Sequence, residues 1–440
     1  MTDVIIVGGG LAGLLAAAEL KRRGSDVVVL EADERPGGVA QTIADDGYLL
    51  EPAAGSLLLP TPELSPIFDA AGVRVVPALE GSDRRYVYDR GRLMEIPDSP
   101  AVIFSPLIPW KAKLRAAREP WIHTEPATDD ESILDYLDRR FGPGMGRMGG
   151  TLMAHGVFAG DPAALSMRGA FPRIVAWEDA AGSLVRGGIA SAKAHRSGDT
   201  PRVRKTAHVA PDGMAGLADD LAAYLGDAVH TGHTVRSIVE TPDGWTVDDD
   251  FAAPSLILAL APHRAAPVLP ADVADLVGRG VTAPVAVVGL GGRAADIPLP
   301  IGFGALIGPD AGLHALGILF ESRYAAGRAP DGHHLAKGIY GGAADPEVMA
   351  LSDDELVALM IEETSRVIGI PVQPTWSRVV RQMPGIPQYE VGHVAWMDDI
   401  DERLAAHPGL HLAGWGYRGI GVSGLGIDAV RLADTIADGR

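Results

Sequence analysis

Three glycines at fixed spacing, Gly8-x-Gly10-x-x-Gly13, follow an apolar run beginning at Val4 and lead into an Ala/Leu-rich segment. Each residue of this pattern has a task at a dinucleotide. Gly8 permits a tight turn, Gly10 lets the backbone approach a pyrophosphate, and Gly13 lets a helix pack against its strand. Gly9, Leu11 and Ala12 complete the turn, where the start of a helix offers unpaired N–H groups to an anion. Glu31 closes a second apolar strand, Asp26 to Leu30, eighteen residues past Gly13. With Ala32 beside it, this carboxylate can accept hydrogen bonds from both hydroxyls of an adenosine ribose. Other chemistries fail on spacing. Gly421-Val422-Ser423-Gly424-Leu425 has leucine where a nucleophile elbow needs its last glycine, and no phosphate-loop lysine follows any glycine run. His333-His334 and His230-x-x-His233 have no further ligand at helical spacing, so no metal is predicted.

The elements that must position this site follow from periodicity and composition. A chain of 440 residues, 47% hydrophobic and 22% charged, has the balance of a globular protein of about three domains. With no cysteine, disulfides, thiolate metal sites, a catalytic thiol and a cysteine-linked cofactor are excluded. A net charge of -19 opposes a nucleic-acid partner, so an anionic substrate has to be met by local cations. No basic leader and no apolar run near the ~18 residues of a membrane span are present, which predicts a cytoplasmic protein. Arg84 to Pro97 reads as a hairpin turning near Asp89 to Gly91, with Arg85 and Tyr86 on opposite faces. It is either a solvated surface or an anion anchor. Gly213 to Gly226 reads as a helix and Leu256 to Leu260 as a strand. Leu410 to Ala413 reads as a strand, Gly414 to Gly426 as a loop at a second close approach to the cofactor, and Ile427 to Ile436 as a helix. Residues 100–195 are helical in pattern, and 264–380 mix strands with a helix capped near Ser352. The acidic run Asp248 to Asp250 is expected to be a solvated tip.

Glu34 to Thr42, with Gly37, Gly38 and Val39 at its centre, resembles the second glycine motif of FAD enzymes in the amine oxidase and protoporphyrinogen oxidase superfamily. Gly156-Val157-Phe158-Ala159-Gly160-Asp161-Pro162 then resembles the most distinctive central motif of the FAD-dependent protoporphyrinogen and coproporphyrinogen oxidases. Ile301 to Leu306, Leu316 to Ser322 and Ile386 to His393 are similar to that family's substrate-domain and near-flavin segments. The resemblance runs nearly end to end, whereas general amine oxidases share only the two ends.

What the resemblance implies is an α/β chain. It has a Rossmann-like FAD-binding domain assembled from residues 1–84, 196–263 and 381–440. A mixed α+β substrate domain takes the hairpin 85–99 and residues 264–380, and 100–195 form a helical, membrane-associating domain. Its cofactor is FAD, and its partners are a porphyrinogen and molecular oxygen, with peroxide as by-product and a homodimer as an assembly left open. Arg85 takes the place of the arginine that meets a substrate propionate, and Leu306 and Phe320 match apolar walls against the pyrrole rings. Besides the residues already named, Thr42, Ala53, Ala54, Gly55, Ser56, a strand valine at Val235, Gly414, Gly421, Val422 and Ser423 map to cofactor contacts. No protein residue is required as a catalytic base. Departures cluster at the flavin ring: Ala53-Ala54 stand where Gly-Pro is usual, Gln382 replaces a tryptophan, and the turn at Ser423 differs. Coproporphyrinogen oxidation, an amine or polyene oxidoreductase and a non-catalytic tetrapyrrole binder stay open beside protoporphyrinogen oxidation. Val102 to Arg118, with Ile103, Phe104, Leu107, Ile108 and Trp110 beside Lys111, Lys113 and Arg115, suits either the inner face of the cell membrane or a helical cap with a basic side.

Overall fold

Val4–Val7 is buried along its whole length and becomes the central strand of a five-stranded sheet in the computed structural model, which describes residues 2–97, 105–108, 110–122, 130–197 and 205–439. The order is Val229–His230, Val27–Leu30, Val4–Val7, Ser255–Leu258, Leu410–Leu412, every pair parallel. Continuous Val, Ile and Leu are what such strands require, because helices or a second sheet cover both faces. One face carries Leu11–Arg22, Gly213–Leu225 and Gly421–Asp438, meeting through Leu14, Leu217 and Leu432. The other carries a small antiparallel sheet and the helices Ala271–Val277 and His393–Leu404, around Trp245 and Ile400.

The second sheet has seven strands in the order Trp376–Pro387, Thr282–Arg293, His333–Gly341, Gly317–Leu319, Gly304–Ile307, Arg85–Asp89, Arg92–Ile96. The hairpin forms because Arg90 and Gly91 both take positive φ, 49° and 73°, which matches the twist of its two strands. Strand alternation gives this sheet two different faces. Ala286, Val288, Ala336 and Tyr340 pack against Asp353–Ile368, a helix started by the capping box of Ser352 and Glu355. Val287, Leu335 and Lys337 face the other way, toward the cofactor-side segment that carries Tyr48 and Leu50.

Helices Trp110–Arg118, Ile133–Phe141, Thr151–Phe158, Pro172–Ala181 and Leu184–Ser197, with a π-turn at Gly146–Gly150, form the third lobe. Of the apolar residues read as facing a bilayer, Leu107 and Ile108 are buried, and Ile103 and Phe104 lie outside the described residues. Among the described residues no helix is long and apolar enough to cross a membrane.

Three local expectations are corrected. The last helix begins at Gly421 and not at Ile427, because Val422, Ala429 and Leu432 dock on the first helix and hold a glycine-rich start in helical form. Val235 lies in the loop between the Val229–His230 and Ile238–Thr241 strands and not in a strand. Asp248 is not merely solvated: its carboxylate accepts from the amides of Arg236 and Ser237 at 2.9 and 2.8 Å and meets His233 Nε2 at 3.2 Å, which shapes the turn before the Ile238–Thr241 strand.

Candidate active site

The glycine turn at the end of the first strand leaves room for backbone alone. A Cβ on Gly13 would lie 1.9 Å from Gly8 O, and one on Gly8 would lie 2.6 Å from Ala259 O. Gly37 N donates to Gly9 O at 2.8 Å, and a Cβ on Gly38 would come within 3.2 Å of Gly10 Cα, so the two glycine motifs form one cradle. The helix behind it, Leu11–Arg22, has no side-chain cap and no acid in its first turn, which leaves its N–H groups for a diphosphate. Glu31 is held by Gly9 N at 2.6 Å and Asp33 N at 2.9 Å. Each carboxylate oxygen keeps a lone pair for a ribose hydroxyl. The start of the last helix is also uncapped, and a Cβ on Gly414 would lie 3.5 Å from Ala12 Cβ, so the far end of the chain closes the same cradle. These features fit a dinucleotide.

The other sequence-assigned positions divide. Ala53, Ala54, Gly55 and Ser56 follow the Tyr48–Leu50 strand, with Ala54 exposed. Ala32 and Val39 are exposed and Ser423 is half-buried, its Oγ 3.4 Å from Leu58 O. The Thr42 hydroxyl is taken up by Glu51 at 3.2 Å and by Ala215 N at 3.1 Å, so it supports the cradle from behind.

On the seven-stranded sheet, Gly304 pairs with Arg85 and Leu306 with Val87, which puts Arg85 and Leu306 on one face. Arg85 is exposed, lies over the Phe303 ring at 5.1 Å, and has no acidic partner among the described residues. The central motif packs directly against this part of the sheet. A Cβ on Gly156 would make ordinary contact with Leu306 at 3.5 Å, and Val157 is 40% exposed. Burial lowers the pKa of His155 beside them, so this imidazole carries no charge near neutral pH. Phe320 is placed elsewhere: it is fully buried with Ala305, Ile318 and Tyr86 on the opposite face. Leu306 and Phe320, both matched by the resemblance to apolar walls, therefore lie on opposite sides of the sheet.

Gln388 and Tyr389 join the lobes. Gln388 Nε2 donates to Phe158 O at 2.8 Å in the helical lobe, and Tyr389 Oη donates to Trp415 O at 2.6 Å in the cofactor domain. Sequence reasoning missed the buried ions between these lobes: Glu51, Glu321, Arg328 and Lys337 are each at most 2% exposed. The signal available was Lys337, a charge standing in an otherwise apolar run, Leu335 to Tyr340.

A glycine cradle and a ribose-binding carboxylate at the end of a parallel sheet define a dinucleotide-binding protein. Residues 11–430 match the family model for flavin containing amine oxidoreductases, and the chain belongs to that family. A flavin in a dinucleotide cradle is FAD. The chain is 26% identical to coproporphyrinogen III oxidase of Bacillus subtilis, over 95% of this chain and 94% of that protein. It is 27% identical to the chloroplastic protoporphyrinogen oxidase of Oryza sativa, over 99% of this chain and 88% of that protein. An Exiguobacterium crystal structure, provisionally assigned as a protoporphyrinogen oxidase, shares the fold with a TM-score of 0.80 at 22% identity, covering 100% of this chain and 99% of that one.

Proposed function

We propose that this FAD oxidoreductase oxidises a porphyrinogen, with protoporphyrinogen IX as substrate and molecular oxygen as acceptor, in tetrapyrrole synthesis. The observation that carries the reading is Arg85, an exposed guanidinium with no acidic partner among the described residues, on the same sheet face as Leu306, against which Gly156 packs. Its planar fork suits a propionate, and the apolar Leu306 on the same sheet face suits a flat macrocycle. Bound FAD supplies the two-electron acceptor for hydrogens leaving the methylene bridges. The chain's own residues bind and orient: Arg85 fixes the carboxylate, and Leu306 and the Gly156 backbone set the ring plane.

Anaerobic mixing with protoporphyrinogen IX and, in parallel, coproporphyrinogen III tests this reading by flavin absorbance. Bleaching by the first and not the second is expected. Bleaching by coproporphyrinogen alone would exchange the substrate, and none by either would overturn the reading. Arg85→Ala should raise KM about ten-fold or more, the effect of losing a charge-assisted hydrogen bond, with Tm unchanged because the side chain is exposed. An unchanged KM removes Arg85 from the site. For location, we propose peripheral contact with the inner face of the cell membrane, supported by Trp110 and Leu114, 65% and 53% exposed, beside the exposed Lys111. Failure to float with anionic liposomes would discard that contact.

A further inference from the structure

The largest group of buried ionisable residues outside the cradle lies where the seven-stranded sheet meets residues 51–55. Lys337 Nζ pairs with Glu321 at 2.5 Å and donates to two backbone carbonyls, Glu51 O at 3.0 Å and Ala53 O at 3.2 Å. Its stem rises from the strand His333–Gly341, whose same-face neighbour Leu335 is wholly buried. Beside it, Glu321 and Tyr324 press on the backbone of Gly55: a Cβ there would lie 2.6 Å from Tyr324 Oη and 3.3 Å from Glu321 Oε1. The Glu51 carboxylate is meanwhile gripped by Arg328 at 2.8 Å and by Met214 N at 3.1 Å. Together these groups tie residues 51–55 to the substrate sheet and the segment that follows it.

Two cations and two anions placed this deep are not needed for stability, since an apolar set of the same volume would serve as well. What an apolar set could not do is hold the carbonyls of Glu51 and Ala53 in place, because only a donor can fix a carbonyl. We propose that Lys337 is a positioning residue for the cofactor: from the substrate sheet it sets the backbone of residues 51–55, so that FAD affinity and the reduction potential of bound FAD depend on an ion pair made outside the FAD-binding domain. The proposal rests on the reading that Ala53 to Ser56 face the cofactor, and it does not depend on which porphyrinogen is oxidised.

The test compares Lys337→Met, Lys337→Gln and Lys337→Arg holoproteins, reading FAD release by fluorescence and the midpoint potential of the bound flavin. Loss of the cation removes a favourable field for the negative charge gained on reduction, so the potential falls in Met and Gln and is restored in Arg. FAD binding weakens ten-fold or more in Met, less in Gln, and stays within two-fold of the parent in Arg. If Lys337→Met does not fold, Lys337→Gln carries both readouts. Neutral variants that lose Tm while FAD affinity and potential stay at the parent values would overturn the proposal. Ala54→Phe serves as control on the underlying reading. If it leaves FAD affinity unchanged, residues 53–56 do not face the cofactor and the proposal falls with that reading. If it weakens FAD while the Lys337 variants do not, the proposal alone fails.

Discussion

Two buried ion networks in this protein are built from the same side chains to different ends. In the helical lobe, Glu119 accepts from Arg140 Nε at 2.9 Å, Ser183 Oγ at 2.5 Å, and the amides of Leu184 and Val185 at 2.9 and 3.2 Å. Burial works to raise its pKa, but Ser183, Arg140 and the amides outweigh burial and leave it lowered. At the seam between sheet and cofactor domain, burial raises the pKa of Glu51 and Arg328 does not offset it, while Arg328 Nε finds no hydrogen-bond partner among the described residues. The first network is locally closed and saturated with donors, and it caps the start of Leu184–Ser197. The second is under-supplied and joins segments from three parts of the chain. A saturated network stabilises the lobe that contains it, whereas an unsaturated one at a seam serves the geometry of what it touches.

The largest effect should come from breaking the closed network. Arg140→Met leaves Glu119 charged and wholly buried, which costs about 3–5 kcal/mol in urea unfolding, with flavin absorbance of the folded protein unchanged. A loss below about 1 kcal/mol would mean that the helical network is no more than decoration, and the contrast would collapse.

Next in size is Gly55→Ala, which drives a methyl into Tyr324 Oη at the seam. A strain of roughly 1–3 kcal/mol is expected, and under the proposal that residues 53–56 face the cofactor it should appear as weaker FAD binding in equilibrium dialysis. Normal FAD binding with a lowered Tm would place the strain in the sheet and blunt the distinction between the two networks.

The smallest effect has the opposite sign. Gly156→Ala in the helix Thr151–Phe158 finds only ordinary contact with Leu306, so removing a helical glycine should raise stability by about 0.5–1 kcal/mol. If the proposed porphyrinogen lies against this surface, the added methyl should lower kcat/KM for it as Tm rises. A variant that gains stability at full activity would move the substrate away from this wall.

Legibility followed the range of the interaction. The glycine turn and Glu31 were readable because each obeys a short-range rule within one strand–helix–strand unit. The hairpin at Arg90-Gly91 and the capping box at Ser352 and Glu355 were readable for the same reason. Gly421 was not, since its glycines carry the local signature of a loop and only docking on the first helix makes them helical. Phe320 looked equivalent to Leu306 because an apolar strand residue does not announce its face until a partner strand sets the register.

By itself the amino-acid sequence determined the cofactor class, the strand–helix–strand unit that cradles it, the net negative charge, and the cation at Arg85. All four rest on residue identity or on neighbours within a few turns of chain. Only the tertiary structure decided which charges are buried together. Lys337 meets the carbonyl of Glu51 across 286 residues, and Arg328 meets the same residue's carboxylate. The desolvation that makes these pairs matter is a property of the closed interface, so no local pattern could have carried it.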